Sequence, residues 1–200
     1  KATELNQRAV QLYGEGKDGE AIVIGEESLK IREKVLGHEH PDTAISLNNL
    51  AVFYESQGNY AAAEPLYQRV SKIREKVLGP EHPETATSFN NLAELNRLQG
   101  NYAAAEPLYQ RALKIREKVL GPEHPDTAIT LNNLALLYGS QANYAAAKPL
   151  FQRALKIKEK VLGPEHPSTA TSLNNLAMLY DAQGNYAAAE PLYQRALKIS

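Results

Sequence analysis

The sequence predicts an all-α solenoid in which antiparallel pairs of helices repeat along the chain. Each repeat contains two segments whose apolar residues recur at steps of three and four, the spacing of a helix with one buried face. Glycine, asparagine and proline separate these segments. The string NYAAA returns every 42 residues, beginning at Asn59, Asn101, Asn143 and Asn185. A fixed period of about 20 to 50 residues is typical of stacked units that bury their apolar faces only against neighbours.

The register of this string divides the chain into five units within one repeat domain over residues 1–200. The first unit is a diverged copy, because polar or small residues such as Arg8 and Asp18 stand where later units have leucine and tyrosine. The last unit is shorter than the others. The predicted units cover about residues 2–43, 44–85, 86–127, 128–169 and 170–200.

The second unit shows the local signals for its two helices, which we call helix A and helix B. Gly58 suits a left-handed turn at the end of helix A, and Asn59 suits the N-cap of helix B. Pro65 lies early in helix B, so we expect a late or slightly kinked start there. Pro83 is placed for the first turn of the next helix A.

Composition narrows the classes of partner. Twenty-two basic residues against 23 acidic ones leave a net charge of −1, which favours neither nucleic acid nor an anionic membrane. The chain has no cysteine and no apolar run of the roughly 18 residues that a membrane span needs. We therefore expect a cytoplasmic protein whose partners are other polypeptides.

Three segments carry a family resemblance. The motifs are LNNLALLY at 131–138, AEPLYQRALKIREKVLG at 105–121 and HPDTA at 124–128. They resemble the 42-residue tetratricopeptide repeats of kinesin light chains and their bacterial relatives, over essentially the whole chain. The resemblance implies a right-handed superhelical solenoid whose concave groove, lined mainly by helix A, holds peptide segments of partner or cargo proteins.

A row of paired asparagines is the main candidate for binding. The two residues after the buried leucine of each helix A point toward the groove, and amides both donate to and accept from a peptide main chain. The alternative is that one amide of each pair bonds to the backbone of a neighbouring helix. The pairs are Asn48 and Asn49, Asn90 and Asn91, Asn132 and Asn133, and Asn174 and Asn175, with Asn6 and Gln7 in the first unit.

Other positions on the same helices are predicted to select the side chains of the ligand. Arg97 is the only basic residue among them, whereas kinesin light chains that take acidic cargo motifs carry several. Charge complementarity therefore favours an acidic peptide less here, and a mixed or apolar one more. An unused groove is the alternative. The selecting residues are Ile45, Ile129, Leu136, Met178, Glu55, Glu94 and Arg97.

The remaining charged and histidine-bearing segments indicate structure rather than chemistry. Runs such as residues 72–76 and 114–118 have carboxylates as neighbours and contain a single isoleucine expected to be buried, so we expect solvated faces. Histidines before proline recur once per unit, and units about 10 Å apart cannot bring three or four ligands to one metal ion. No nucleophile, acid pair or phosphate loop stands outside the repeat, so we predict no catalytic residue and no cofactor. These histidines are His40, His82, His124 and His166.

A second function remains open at this point. Nearly identical units have complementary end faces, and the last unit presents an apolar face to its end. Copies of the chain could therefore stack or dimerise through their end faces, which would make the array a structural element.

Overall fold

The computed structural model describes residues 1–199, and every regular element within them is a helix. Helices A and B alternate along the chain, which confirms the all-α class and the repeat of antiparallel helix pairs. None of these helices is long and apolar enough to cross a membrane. The helices are α1 (Ala2–Gly14), α2 (Asp18–Leu36), α3 (Pro41–Ser56), α4 (Tyr60–Val77), α5 (Pro83–Leu98), α6 (Tyr102–Val119), α7 (Pro125–Ser140), α8 (Tyr144–Val161), α9 (Pro167–Ala182) and α10 (Tyr186–Ile199).

The helices form two compact units. The first runs from Lys1 to Gly100 and contains α1 to α5, and the second begins at Asn101 and contains α6 to α10. Within each unit, helix B packs both against its own helix A and against the helix A that follows. One buried apolar cluster contains residues of α1, α2, α3 and α4, and another contains residues of α7, α8, α9 and α10. Ser200, the end of the fifth predicted repeat, lies outside the described residues.

Each complete helix A after the first begins at a proline, as predicted. In α5, Pro83 occupies the first turn and the preceding His82 is the N-cap, whose Nδ1 accepts a hydrogen bond from the Glu84 backbone N–H at 3.1 Å. The helix therefore starts three residues before the unit limit that the register suggested. The same cap forms at His40, His124 and His166.

Helix B also begins directly after its N-cap residue. Gly58 has a φ of 71°, and the Asn59 side chain accepts from the Ala62 backbone N–H at 3.3 Å, which confirms both turn assignments. The helix starts directly at Tyr60 and includes Pro65. The expected late start is wrong, because the cap satisfies an early N–H group and Pro65 removes only one intrahelical bond close to the helix end.

A buried arginine near the end of helix B holds the next helix A. Arg74 is 9% exposed, and its Nη1 donates to the Glu84 carbonyl oxygen and to Ser88 Oγ, both at 3.1 Å. Thr85 adds a bond from Oγ1 to the Gly79 carbonyl oxygen at 2.8 Å. The prediction of a fully solvated face is therefore wrong for this one residue of the run. Equivalent arginines are buried at Arg32 and Arg116.

Lysine replaces this arginine at position 158. The Lys158 ammonium donates to the Ser168 carbonyl oxygen at 3.2 Å, and burial lowers its pKa. The equivalent Arg116 donates from a single nitrogen, Nη1, to both the Asp126 carbonyl oxygen and Thr130 Oγ1, whereas the bond of the shorter Lys158 ammonium goes to the carbonyl oxygen. As a result, the buried Ser172 hydroxyl has no hydrogen-bond partner.

The substitution Lys158→Arg is therefore expected to stabilise the second compact unit. A guanidinium can bond the Ser168 carbonyl oxygen and Ser172 Oγ together, and one recovered buried hydrogen bond contributes about 1 kcal/mol. Urea denaturation followed by circular dichroism measures the gain. The reverse change, Arg116→Lys, is the matched control and should lose a similar amount. A loss of stability in Lys158→Arg would contradict the role given to the missing bond at Ser172.

A second stability prediction concerns the turn after α7. Ala142 has a φ of 57°, whereas Gly58, Gly100 and Gly184 occupy the same turn in other repeats. A left-handed alanine costs about 1 kcal/mol relative to glycine. Ala142→Gly should raise the melting temperature by about 2 °C. Gly58→Ala is the reciprocal control, and open space around Gly58 means that its expected loss is conformational. No change in either variant would contradict this reading.

Candidate functional site

The predicted groove residues lie on one face of the A helices, which we call the helix A face. In the first compact unit it is formed by α1, α3 and α5, and in the second by α7 and α9. Asn48 and Asn49 are half-buried and Asn174 is exposed, whereas Asn90 and Asn132 are only 7% and 8% exposed. Access to the amides therefore varies between repeats.

Hydrogen bonds connect the asparagines of successive A helices. In three places the second asparagine of a pair donates from Nδ2 to Oδ1 of the first asparagine in the preceding repeat. This arrangement is the alternative that the sequence left open, except that the partner is a side chain rather than a backbone group. The bonds are Asn49 to Asn6 (3.3 Å), Asn91 to Asn48 (3.2 Å) and Asn175 to Asn132 (2.8 Å).

These bonds use part of the capacity of each amide. The bond between Asn91 and Asn48 takes one N–H of Asn91 and one lone pair of Asn48. An amide has two N–H donors and an oxygen that accepts twice, so the Asn48 amino group and the Asn91 oxygen can each bond further. The amide row therefore holds the helices in register and can still present a donor and an acceptor at one rung.

Apolar side chains flank the amide row. Ile45 and Ile129 are each 42% exposed and Met178 is 58% exposed, while Leu136 is half-buried. Beside Ile45 lies a depression of about 340 Å³. Its lining is mostly apolar and comes from the start of α3, the end of α4 and the start of α5: Pro41, Ile45, Ile73, Arg74, Val77, Leu78 and Glu84.

The basic residue predicted in this face is already engaged in an ion pair. Arg97 donates to Glu94 through two bonds, Nε to Oε2 at 2.9 Å and Nη2 to Oε1 at 2.6 Å. The two side chains are 18% and 25% exposed, so this is a partly buried bidentate pair. Its charges largely cancel for an approaching ligand.

Glu55 has a different environment. It is half-buried on α3, and its Oε2 accepts a hydrogen bond from the Tyr67 hydroxyl at 2.9 Å. Burial raises the pKa of Glu55, and the negative charge of Glu94 acts in the same direction, while Tyr67 and Arg97 oppose it. Burial and the Glu55 charge also raise the pKa of Tyr67, which therefore stays a hydrogen-bond donor.

Tyr67 is the residue of this site that sequence reasoning missed. Its place in the helix B pattern predicts a core residue, and the side chain is indeed only 2% exposed. A buried tyrosine hydroxyl needs a polar partner, and this requirement is the sequence signal that could have indicated a polar contact of Tyr67. Phe151 occupies the same register in α8 and has no hydroxyl, so it cannot make this contact, whereas Tyr109 and Tyr193 keep the tyrosine.

The histidines are occupied by structural bonds. His40 uses Nδ1 to cap α3, and His38 Nδ1 lies 3.2 Å from Glu33. Over residues 1–199 no group of three or more histidine, cysteine or acidic side chains is arranged to hold a metal ion.

Comparison with known proteins identifies the repeat. A family model described as tetratricopeptide repeat matches residues 2–76, 45–118, 90–160 and 143–200. A kinesin light chain-like protein of Podosopora anserina with nearly identical TPR-like repeats is 29% identical, with a TM-score of 0.80 over 98% of this chain and 93% of that one. BtubC (BKLC) from P. vanneervenii is 28% identical, with a TM-score of 0.79 over 96% and 76%.

More distant structures share only the fold. A Rap protein complexed with competence and sporulation factor is 16% identical, with a TM-score of 0.83 over 98% of this chain and 52% of that one. No protein of curated function matches the chain. The first two structures confirm the resemblance to kinesin light chain repeats.

The half-buried Glu55 carboxylate generates a stability prediction. A raised folded-state pKa means that the folded protein loses stability as the pH rises from about 4.5 through the raised value. Glu55→Gln removes the charge and keeps an acceptor for Tyr67. The variant should melt on the order of 2 °C higher than the parent at pH 7, and the difference should vanish near pH 4.

Asp181→Asn is the matched control for this experiment, because Asp181 has the same register in the second compact unit and is exposed. It should show no such pH-dependent difference. Lower stability of Glu55→Gln at pH 7 would show that the carboxylate stabilises the fold.

Proposed function

Because the chain belongs to the tetratricopeptide repeat family, whose members generally act as protein–protein interaction scaffolds, we propose that its helix A face binds polypeptide segments of partner proteins. The observation that carries the proposal is the amide row. It combines side-chain donors and acceptors with flanking exposed apolar residues on one face. The proposal assigns the chain no catalytic step, and a chain without cysteine is compatible with the cytoplasm, where we place the interaction.

The amide row would hold an extended main chain. A peptide carbonyl oxygen can accept from the Asn48 amino group, and a peptide N–H can donate to the Asn91 oxygen. Both bonds are independent of the ligand side chains, as in other modes that read the backbone of an extended peptide. The bond between the two asparagines orients both amides before the ligand arrives, which lowers the entropic cost of binding.

Specificity would then come from the residues beside the row. In the second compact unit Leu136, Ile129 and Met178 offer apolar contacts. Gly139 leaves open space near them, since no side chain and no neighbouring segment lies within 4 Å of the position that a Cβ would take. In the first, Ile45 opens onto the 340 Å³ depression. A peptide with spaced apolar side chains matches both surfaces.

A second candidate function is association between copies through α10. Tyr193 is 37% exposed and Leu197 is 78% exposed, whereas the equivalent Tyr67 and Leu155 are 2% and 8% exposed under the next helix A. A following helix of the same polypeptide would cover them in the same way. A head-to-tail stack is disfavoured, because Arg8 of α1 is exposed where later A helices have a leucine.

Binding of peptides tests the leading proposal directly. A double variant, Asn48→Leu with Asn91→Leu, removes a donor and an acceptor from one rung. Each lost hydrogen bond reduces affinity about fivefold, so binding of array-selected 12-residue peptides should weaken roughly 20-fold. Fluorescence anisotropy measures the change.

The matched control replaces exposed amides on B helices, Gln68→Leu with Gln110→Leu, and should bind as the parent does. Circular dichroism confirms that the variants are equally helical. Equal peptide affinity in the parent and the double asparagine variant would contradict the proposal.

A further inference from the structure

Glu55 is a half-buried carboxylate of the helix A face whose hydrogen bond comes from a neutral hydroxyl. The groups that face it are the Tyr67 hydroxyl from α4, and Glu94 and Arg97 from α5. The tyrosine is neutral, and the arginine is bound through two hydrogen bonds to Glu94. The four groups together therefore carry one net negative charge on a partly buried part of the face.

We infer that this site selects a lysine or arginine side chain of the bound polypeptide, so that the ligand is a segment with a basic residue among its apolar ones. The inference rests on the proposed function and names the chemical class of its ligand. It assigns Glu55 as a specificity-determining residue and Tyr67 as the residue that positions it.

The physical reason is desolvation. A half-buried carboxylate has lost part of its hydration, and a hydrogen bond from a neutral hydroxyl replaces only some of it. An incoming ammonium or guanidinium group would supply a charge-assisted bond in surroundings of reduced polarity. An acidic ligand side chain would meet Glu55 and Glu94 together, and the repulsion would select against it.

The same register in the second compact unit offers no comparable site. Gly139 has no side chain there, and Asp181 is exposed, so its charge is hydrated and screened. Leu136 and Met178, one turn earlier, are apolar where the first compact unit has Glu94. A preference for basic residues should therefore depend on Glu55 and not on the acidic residues of the face in general.

Proton linkage gives this assignment a second testable consequence. A bound cation would lower the pKa that burial raises at Glu55, so binding of a basic peptide should release protons and strengthen as the pH rises above about 4.5. An apolar peptide without a basic residue would lack this dependence.

Two degenerate libraries of 12-residue peptides provide the test. They are identical except for one central position, which is lysine in the first library and glutamate in the second. Capture of each library by the whole chain is measured at pH 7.5 and 0.15 M salt. The parent should capture the lysine library about fivefold more strongly, the effect of one partly buried ion pair. In Glu55→Gln the ratio should fall below about twofold, and in the control Asp181→Asn it should stay at the parent value.

The outcomes separate this inference from the proposed function. Capture of neither library would contradict peptide binding itself, and the inference with it. Capture of both libraries without preference would overturn the inference alone. A lysine preference that persists in Glu55→Gln, or that Asp181→Asn abolishes equally, would show that Glu55 is not the selecting residue. Glu55→Gln is expected to fold, because Gln retains an acceptor for the Tyr67 hydroxyl.

Discussion

The contact between each helix B and the helix A that follows it is the constraint on which the repeat depends. A single helix pair leaves the apolar side of helix B uncovered, and the next repeat covers it. The exposed fraction of equivalent side chains shows the size of the effect: Leu155 is 8% exposed beneath α9, and Leu197 on α10 is 78% exposed. The buried arginine, the histidine cap and the bond from Thr85 to the Gly79 carbonyl oxygen all lie at this junction, so polar contacts add to the apolar burial there.

The helix A face follows from this packing. Helix α3, for example, packs its leucine and alanine side between α2 and α4, which leaves one face for the asparagines. Because successive A helices come close enough for Asn91 to bond Asn48, the amides form rungs rather than isolated groups. At the rung of Asn48 and Asn91, structure and proposed binding therefore use the same side chains: one bond joins the two helices, and the Asn48 amino group and the Asn91 oxygen can bond further.

The fold could be predicted from the sequence because the residues that mark the helix ends recur along the chain. Gly58, Asn59 and Pro83 each stand at a helix end where the backbone requires that residue type, and the 42-residue period multiplies the signal. The contacts of Arg74 and Tyr67 could not be predicted in the same way. Both depend on which partner lies across a junction: the carbonyl oxygen of Glu84 in one case and the carboxylate of Glu55 in the other. Charge and hydropathy patterns along one helix carry no information on such pairs, so a solvated face and a simple core residue were predicted instead.

The most direct measurement is an NMR titration of the side-chain amide signals with a 12-residue peptide selected on the chain. If the helix A face binds the peptide main chain at the rung of Asn48 and Asn91, the signals of these two residues shift together at a common dissociation constant, and those of Gln68 and Gln110 on B helices stay in place. Shifts confined to the glutamines, or saturable binding that leaves every asparagine signal unchanged, would contradict binding at the amide row.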